Sequence, residues 1–155
     1  MSNNPQLIKA RDYAYRLLSY RPRSRQEIYQ RLKQKKFSHP VITQTLTYLA
    51  RLNYINDLEF ARIWIRSKLN SSPCGRSLLR YSLRQKGVDE NTADQALNEL
   101  AGQYNQRALA AQLAQARCRQ HRRLNPLQLK KRLYDYLRRR GFTQEIILEI
   151  LKEKF

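Results

Sequence analysis

The side chains of this sequence best equipped to hold a ligand are its cations, and they recur in a pattern. Residues 32–37 read LKQKKF, residues 83–88 read LRQKGV and residues 137–142 read LRRRGF. Each stretch is a leucine, a basic-rich tetrapeptide and a large apolar residue. Guanidinium and ammonium groups gathered in this way hold oxyanions through charge-assisted hydrogen bonds. The candidate set is Arg31, Lys35 and Lys36 in the first segment, and Arg76, Arg80, Arg84 and Lys86 in the second. Lys130, Lys131, Arg138, Arg139 and Arg140 complete it in the third. Arg76, Arg80 and Arg84 are spaced four apart and so share one helix face. With 31 Lys and Arg against 12 Asp and Glu, the formal charge is +19. A soluble chain this basic meets a polyanion: nucleic acid, an acidic protein surface or anionic lipid.

Other chemistry does not assemble. The four glycines stand singly, so no glycine-rich phosphate loop is present. His39 and His121 lack carboxylate or cysteine neighbours at ligand spacing, and Cys74 and Cys118 form no CxxC pair. The acidic pair Asp89–Glu90 sits where the first turn of a helix favours negative charge. No nucleophile, base and oxyanion set emerges, so the expectation is a binding protein without metal or cofactor, not an enzyme. No run of about 18 apolar residues marks a membrane span, and MSNNPQL has no apolar signal core. The chain is expected in the cytoplasm with both thiols reduced, away from membranes.

The three basic motifs belong to longer repeats. Ile28, Leu32, Phe37, Ile42, Leu46 and Leu49 set a register that reappears 51 residues later as Leu79, Leu83, Val88, Ala93, Leu97 and Leu100. A further shift of 54 gives Leu133, Leu137, Phe142, Ile147 and Leu151. Apolar residues four apart on both sides of each motif describe two amphipathic helices joined by an anchored turn. Gly87 and Gly141 suit a left-handed helix stop, which Lys36 must make without glycine's freedom. SRQE at Ser24–Glu27 predicts a capping box, Asn125–Pro126 a capped first-turn proline, and Asp89 and Thr143 further caps. Another helix precedes each pair: Ala10, Tyr13, Ala14, Leu17 and Leu18 carry its stripe in the first, and Ala61, Trp64, Ile65 and Leu69 in the second. The third, over roughly 104–121, has a thinner stripe of Leu109, Leu113 and Ala116. The fold class is therefore all-α: three tandem three-helix repeats, 7–56, 57–102 and 103–155, in an elongated, curved array sharing contacts between neighbours. NSSPCG at 70–75 reads as a loop and Gly102 as a joint. Trp64 and most of the ten tyrosines are expected to pack at the core or its edge.

Charge is unevenly divided. Residues 1–56 hold eleven Lys and Arg against two Asp and Glu, residues 57–102 seven against six, and residues 103–155 thirteen against four. In the middle repeat Asp89, Glu90, Asp94 and Glu99 lie after the arginine face, which suggests a basic ridge on one side with the acidic helix turned elsewhere.

YINDLEFARIWIRSKL (54–69) followed by GRSLLRYSLRQKGV (75–88) resembles the central signature of the RecX regulatory proteins. There a tyrosine and an acidic pair precede Phe-Ala, and a glycine-led basic helix ends in Lys-Gly. SRQEIYQRL (24–32) is similar to that family's first-repeat helix, and LYDYLRRRGFTQEIILEIL (133–151) to its third. The likeness covers nearly the whole chain. It departs at Pro73-Cys74-Gly75, where the family often has Gly-Pro, and at Asn56–Asp57, where it has two acids. The resemblance implies a regulator that binds the RecA filament on single-stranded DNA along its groove. It also implies inhibition of ATP hydrolysis, strand exchange and coprotease activity, with direct contact to DNA as a further property of such proteins. A monomer is expected. The alternative is a basic helical DNA-binding protein acting independently of RecA, which the lack of clustered base-reading residues in one helix disfavours.

Overall fold

The structure, a computed structural model, describes residues 4–155. Among these residues it is all helical: α1 (Pro5–Tyr20), α2 (Arg25–Gln34), α3 (His39–Arg51), α4 (Asp57–Ser71), α5 (Arg76–Gln85), α6 (Glu90–Leu100), α7 (Gln106–Gln120), α8 (Pro126–Arg139) and α9 (Gln144–Lys154). A single 3-10 turn, Ala101–Gln103, follows α6 at the glycine read as a joint.

Side-chain caps begin most of these helices. Asn56, Asp89, Asn105 and Thr143 each accept a hydrogen bond from a first-turn amide of the helix that follows. Asn125 forms a complete capping box with Gln128. At α2 the sequence expectation is half met. Ser24 accepts from the Glu27 amide, but the Glu27 carboxylate pairs with Arg21 at 3.0 Å and Lys86 at 3.4 Å. Two cations outcompete the serine amide for an acid, because charge-assisted contacts are the stronger ones.

Three apolar clusters form, one per repeat. Leu7, Ala10, Ala14, Leu17, Ile28, Leu32 and Leu49 belong to the first, and Phe60, Ala61, Ile65, Leu79, Leu83 and Leu97 to the second. Leu133, Leu137, Ile147, Ile150 and Leu151 are in the third, where α7 contributes only Ala110 and Ala114 as fully buried residues. The repeat register of apolar positions is thus a roll of buried side chains, with Phe37 the half-buried exception. Extensive helix packing stays within repeats: α1 and α2 against α3, α4 and α5 against α6, α7 and α8 against α9. Tyr104 crosses the sequence division, packing on the second core although it follows Gly102. Trp64 lies at the edge of that core, stacked on Phe60 with centroids 6.3 Å apart.

Between repeats, helix ends meet. The turn after α8 abuts the start of α5: the Gly75 amide donates to the Arg140 carbonyl at 2.7 Å and the Ser77 amide to the Gly141 carbonyl at 3.2 Å. The turn after α5 abuts the start of α2 in the same way, with the buried Ser24 hydroxyl donating to the Lys86 carbonyl. Carbonyls from a helix C-terminus therefore meet donors at the next N-terminus, which satisfies groups a helix cannot pair internally and aligns the dipoles head to tail. A side chain seals each joint. The first-turn amide of Arg25 donates to Asp57 Oδ1 at 2.8 Å, and that of Arg76 to Gln106 Oε1 at 3.0 Å. Asp57 and Gln106 each open the first helix of the following repeat.

The joints explain where glycine is needed. Gly87 and Gly141 turn with φ of 81° and 86°, and a β-carbon on them would strike Gln26 and Leu78 respectively. Lys36 makes the equivalent turn after α2 at φ 64° and is exposed.

A β-carbon at Gly75 would fall on the Gly141 carbonyl, whereas Gly102 has nothing within 4 Å. Gly75→Ala is expected to cost about 2 kcal/mol, roughly 4–8 °C in melting temperature, and Gly102→Ala less than about 0.5 kcal/mol, as read by thermal circular dichroism. Burial raises the Asp57 carboxyl above its ordinary range, so the folded chain holds that proton more tightly than the unfolded one. Its charge therefore costs stability as pH rises from the ordinary carboxylate value through the raised one. Asp57→Asn, which copies the amide of Gln106, should be at least as stable at neutral pH, with the advantage shrinking as pH falls through the raised value and gone by about pH 4.

Candidate polyanion interface

All twelve candidate cations lie on α2, α5 and α8 or on the turns that close them. The end-to-end joints thereby link the basic segments of the three repeats into one series. The structure divides its members by what they touch.

Three are held by acids or amides of α6 or by the first joint. Arg80 pairs with Glu90 and, at 3.0 Å, with Asp94. Arg76 donates to Asn98 at 2.8 Å and lies 3.9 Å from Asp94. Lys86 reaches Glu27 and lies 4.9 Å from the centroid of the Trp64 ring. The acidic helix is therefore not turned away from the arginine face, as its separation in sequence suggests. Arg80 follows Leu79 and Asp94 follows Ala93, so each flanks the apolar stripe of its helix. When two stripes pack, their flanks meet. These pairs are more than a third exposed and contribute about 0–1 kcal/mol each.

Arg140 is structural as well. Its Nη2 donates to the Ser72 carbonyl and hydroxyl, both at 2.9 Å, and to the Pro73 carbonyl, clasping the loop before α5. Lys35 lies 5.3 Å from the Tyr13 ring centroid.

The remaining candidates stand outward. Arg31, Lys36, Arg84, Lys130, Lys131, Arg138 and Arg139 are exposed, and among the described residues none has an acid within ion-pair distance. Sequence reading missed further cations beside them. Arg117 packs over Tyr136 at 4.7 Å, while Arg119, Arg122, Arg123 and Arg132 are exposed. The run RCRQHRR at 117–123 was the available signal. Arg21 and Arg23 were missed too. They line a groove of about 250 Å³ at the first joint, together with Arg31 and Lys86. Burial and the charge of Arg21 both pull the Arg23 pKa down.

Among the described residues no three His, Cys, Asp or Glu side chains come together as a metal site. None of their helices is long and apolar enough to cross a membrane.

The architecture defines a protein of three tandem three-helix repeats with a basic surface. Residues 10–49, 56–97 and 105–151 match the first, second and third three-helix domains of RecX, in order. The Regulatory protein RecX of Prosthecochloris aestuarii is 40% identical over 147 residues, covering 94% of this chain and 93% of that protein. The longer Regulatory protein RecX of Bacillus cytotoxicus is 33% identical, covering 97% of this chain but only 57% of its own length. The crystal structure of RecX from Lactobacillus salivarius superposes with a TM-score of 0.87 at 26% identity, covering 96% of each chain. The chain belongs to the RecX family of regulatory proteins.

If α6 masks part of the basic series, unmasking it should strengthen polyanion binding. Glu90→Gln/Asp94→Asn frees Arg76 and Arg80, and the variant should elute from heparin at higher salt than the parent. Its melting temperature should drop by only a few degrees, the loss of about 1–2 kcal/mol in exposed pairs. Unchanged elution would show that these arginines do not belong to the binding surface.

Proposed function

We propose that this protein binds the RecA filament on single-stranded DNA and inhibits its ATPase, recombinase and coprotease activities. Family membership supports the reading. So does the observation that carries it: the basic segments of three repeats form one end-to-end series with its outward cations unneutralised. An extended ligand of this kind suits a helical groove, because each repeat adds a contact already tethered to the last. Linked contacts bind far more tightly than separate ones when the geometry permits both. Arg84, Arg138 and Arg139 are the exposed cations best placed to act without disturbing a joint or a core.

The test is a steady-state ATPase titration of RecA on single-stranded DNA. Turnover should fall as the protein is added, and Arg84→Glu/Arg138→Glu/Arg139→Glu should need at least about tenfold more protein for the same inhibition. A shortened chain, stopped after Gln106, keeps Tyr104 on the second core and Gln106 on the Arg76 amide. It should stay helical yet inhibit weakly. Unchanged RecA turnover across the titration of the parent chain at low salt would overturn the assignment.

A further inference from the structure

The groove at the first joint is more than a cluster of charge. Gln26, Gln30 and Gln34 recur every four residues along α2 and so line it as a stripe of side-chain amides, which Gln85 extends from α5. Arg21, Arg23, Arg31 and Lys86 supply its cations, and Glu27, its one acid, is taken up by Arg21 and Lys86. Arg23 sits half-buried with its Nε donating to the Leu17 carbonyl, so its guanidinium is fixed in place before any ligand arrives. Two exposed aromatic residues lie close in the chain to residues that line the groove. Tyr20, the residue before Arg21, is 77% exposed, and Tyr81, one helical turn before Gln85, is 59% exposed.

We propose that this groove is a subsite for one strand of nucleic acid, with the bases turned toward the protein. The inference rests on the reading of the chain as a ligand of a filament on DNA, and adds which surface meets the strand itself. Arginines alone would fit any polyanion. Side-chain amides are different, because each offers a donor and an acceptor to the edge of a base. Exposed rings offer stacking to bases that are not paired. The groove, about 250 Å³, is of a size to take a single nucleotide. An acidic protein surface needs only the cations, so the amide stripe and the exposed rings are what point to unpaired bases. In this division Arg31 takes a backbone phosphate, Gln30 and Gln34 take base edges, and Tyr20 and Tyr81 stack.

The test uses the full chain without RecA, measuring anisotropy of a labelled mixed-sequence single-stranded oligonucleotide of about 20 nucleotides across a salt series, with a hairpin duplex of equal length alongside. The parent should prefer the single strand. Arg31→Ala should weaken binding and lower the slope of log affinity against log salt by about 0.7, the value for one lost phosphate contact on a single strand. Lys154→Ala, an equal loss of charge on the exposed end of α9, should change neither. Gln30→Ala/Gln34→Ala should weaken binding at an unchanged slope, and Tyr20→Ala should weaken it by about fivefold or more. Circular dichroism checks that each variant stays folded, and every substituted position is exposed. Equal or better binding of the duplex would overturn the proposal, as would an Arg31→Ala loss no larger than that of Lys154→Ala. Variants that bind the bare strand normally but fail to inhibit RecA would overturn this subsite while leaving the regulator reading intact.

Discussion

A helix end leaves backbone groups that its own turns cannot pair, and this protein resolves two such ends against each other at each joint. Carbonyls of the turn closing α8 take amides at the start of α5. The Lys86 carbonyl in the turn closing α5 takes the hydroxyl that caps α2. Neighbouring repeats share little helix-on-helix packing, so these junctions and their sealing side chains, Asp57 and Gln106, hold the array in register. The requirement is steric as much as polar. The approach is close enough that Gly75, Gly87 and Gly141 each occupy a place where a β-carbon would collide with a neighbour. Lys36 makes the same turn exposed to solvent, and there it carries a side chain.

The same junctions connect architecture to charge. The helices that carry the basic segments are the ones joined end to end, so cations far apart in sequence stand on one continuous series of helices. The joints also draw on that charge. Lys86 and Arg140 occupy matching positions after α5 and α8, and both commit their head groups to the structure, one to Glu27 and Trp64, the other to the Ser72–Pro73 loop. What is left outward is concentrated in the first and third repeats, where few acids oppose it. The middle repeat, nearly neutral by composition, is neutral by geometry as well, since α6 lays Asp94 and Glu90 against Arg76 and Arg80.

Much of this was written in the sequence because it depends on local period. The recurring apolar register names buried residues almost without exception, from Ile28 and Leu32 to Leu133 and Leu137. The positive φ of Gly87 and Gly141 follows from the stop signals. What the sequence withheld are contacts between distant parts of the chain. Ser24 and Lys86 are 62 residues apart, Arg140 and Ser72 are 68 apart, and no period links them. The orientation of α6 was hidden because its acids surround an apolar stripe, and only packing decides which of them face α5. The groove at the first joint escaped notice for the same reason: its amides come from α2 and its remaining wall from the end of α5. Gln26, Gln30 and Gln34 are a cluster of amide side chains on one helix that the sequence reading passed over, and the neighbouring repeat closes one side of the groove they line.

The central claim is that the helices joined end to end are the face this protein turns to a partner. An image at residue scale of the chain bound to a RecA filament on single-stranded DNA tests it most directly. The expected image has α2, α5 and α8 against the filament, with Arg84, Arg138 and Arg139 in contact and α6 and α9 directed to solvent. A complex in which α3, α6 or α9 makes the principal contact, with the basic series facing outward, would contradict it.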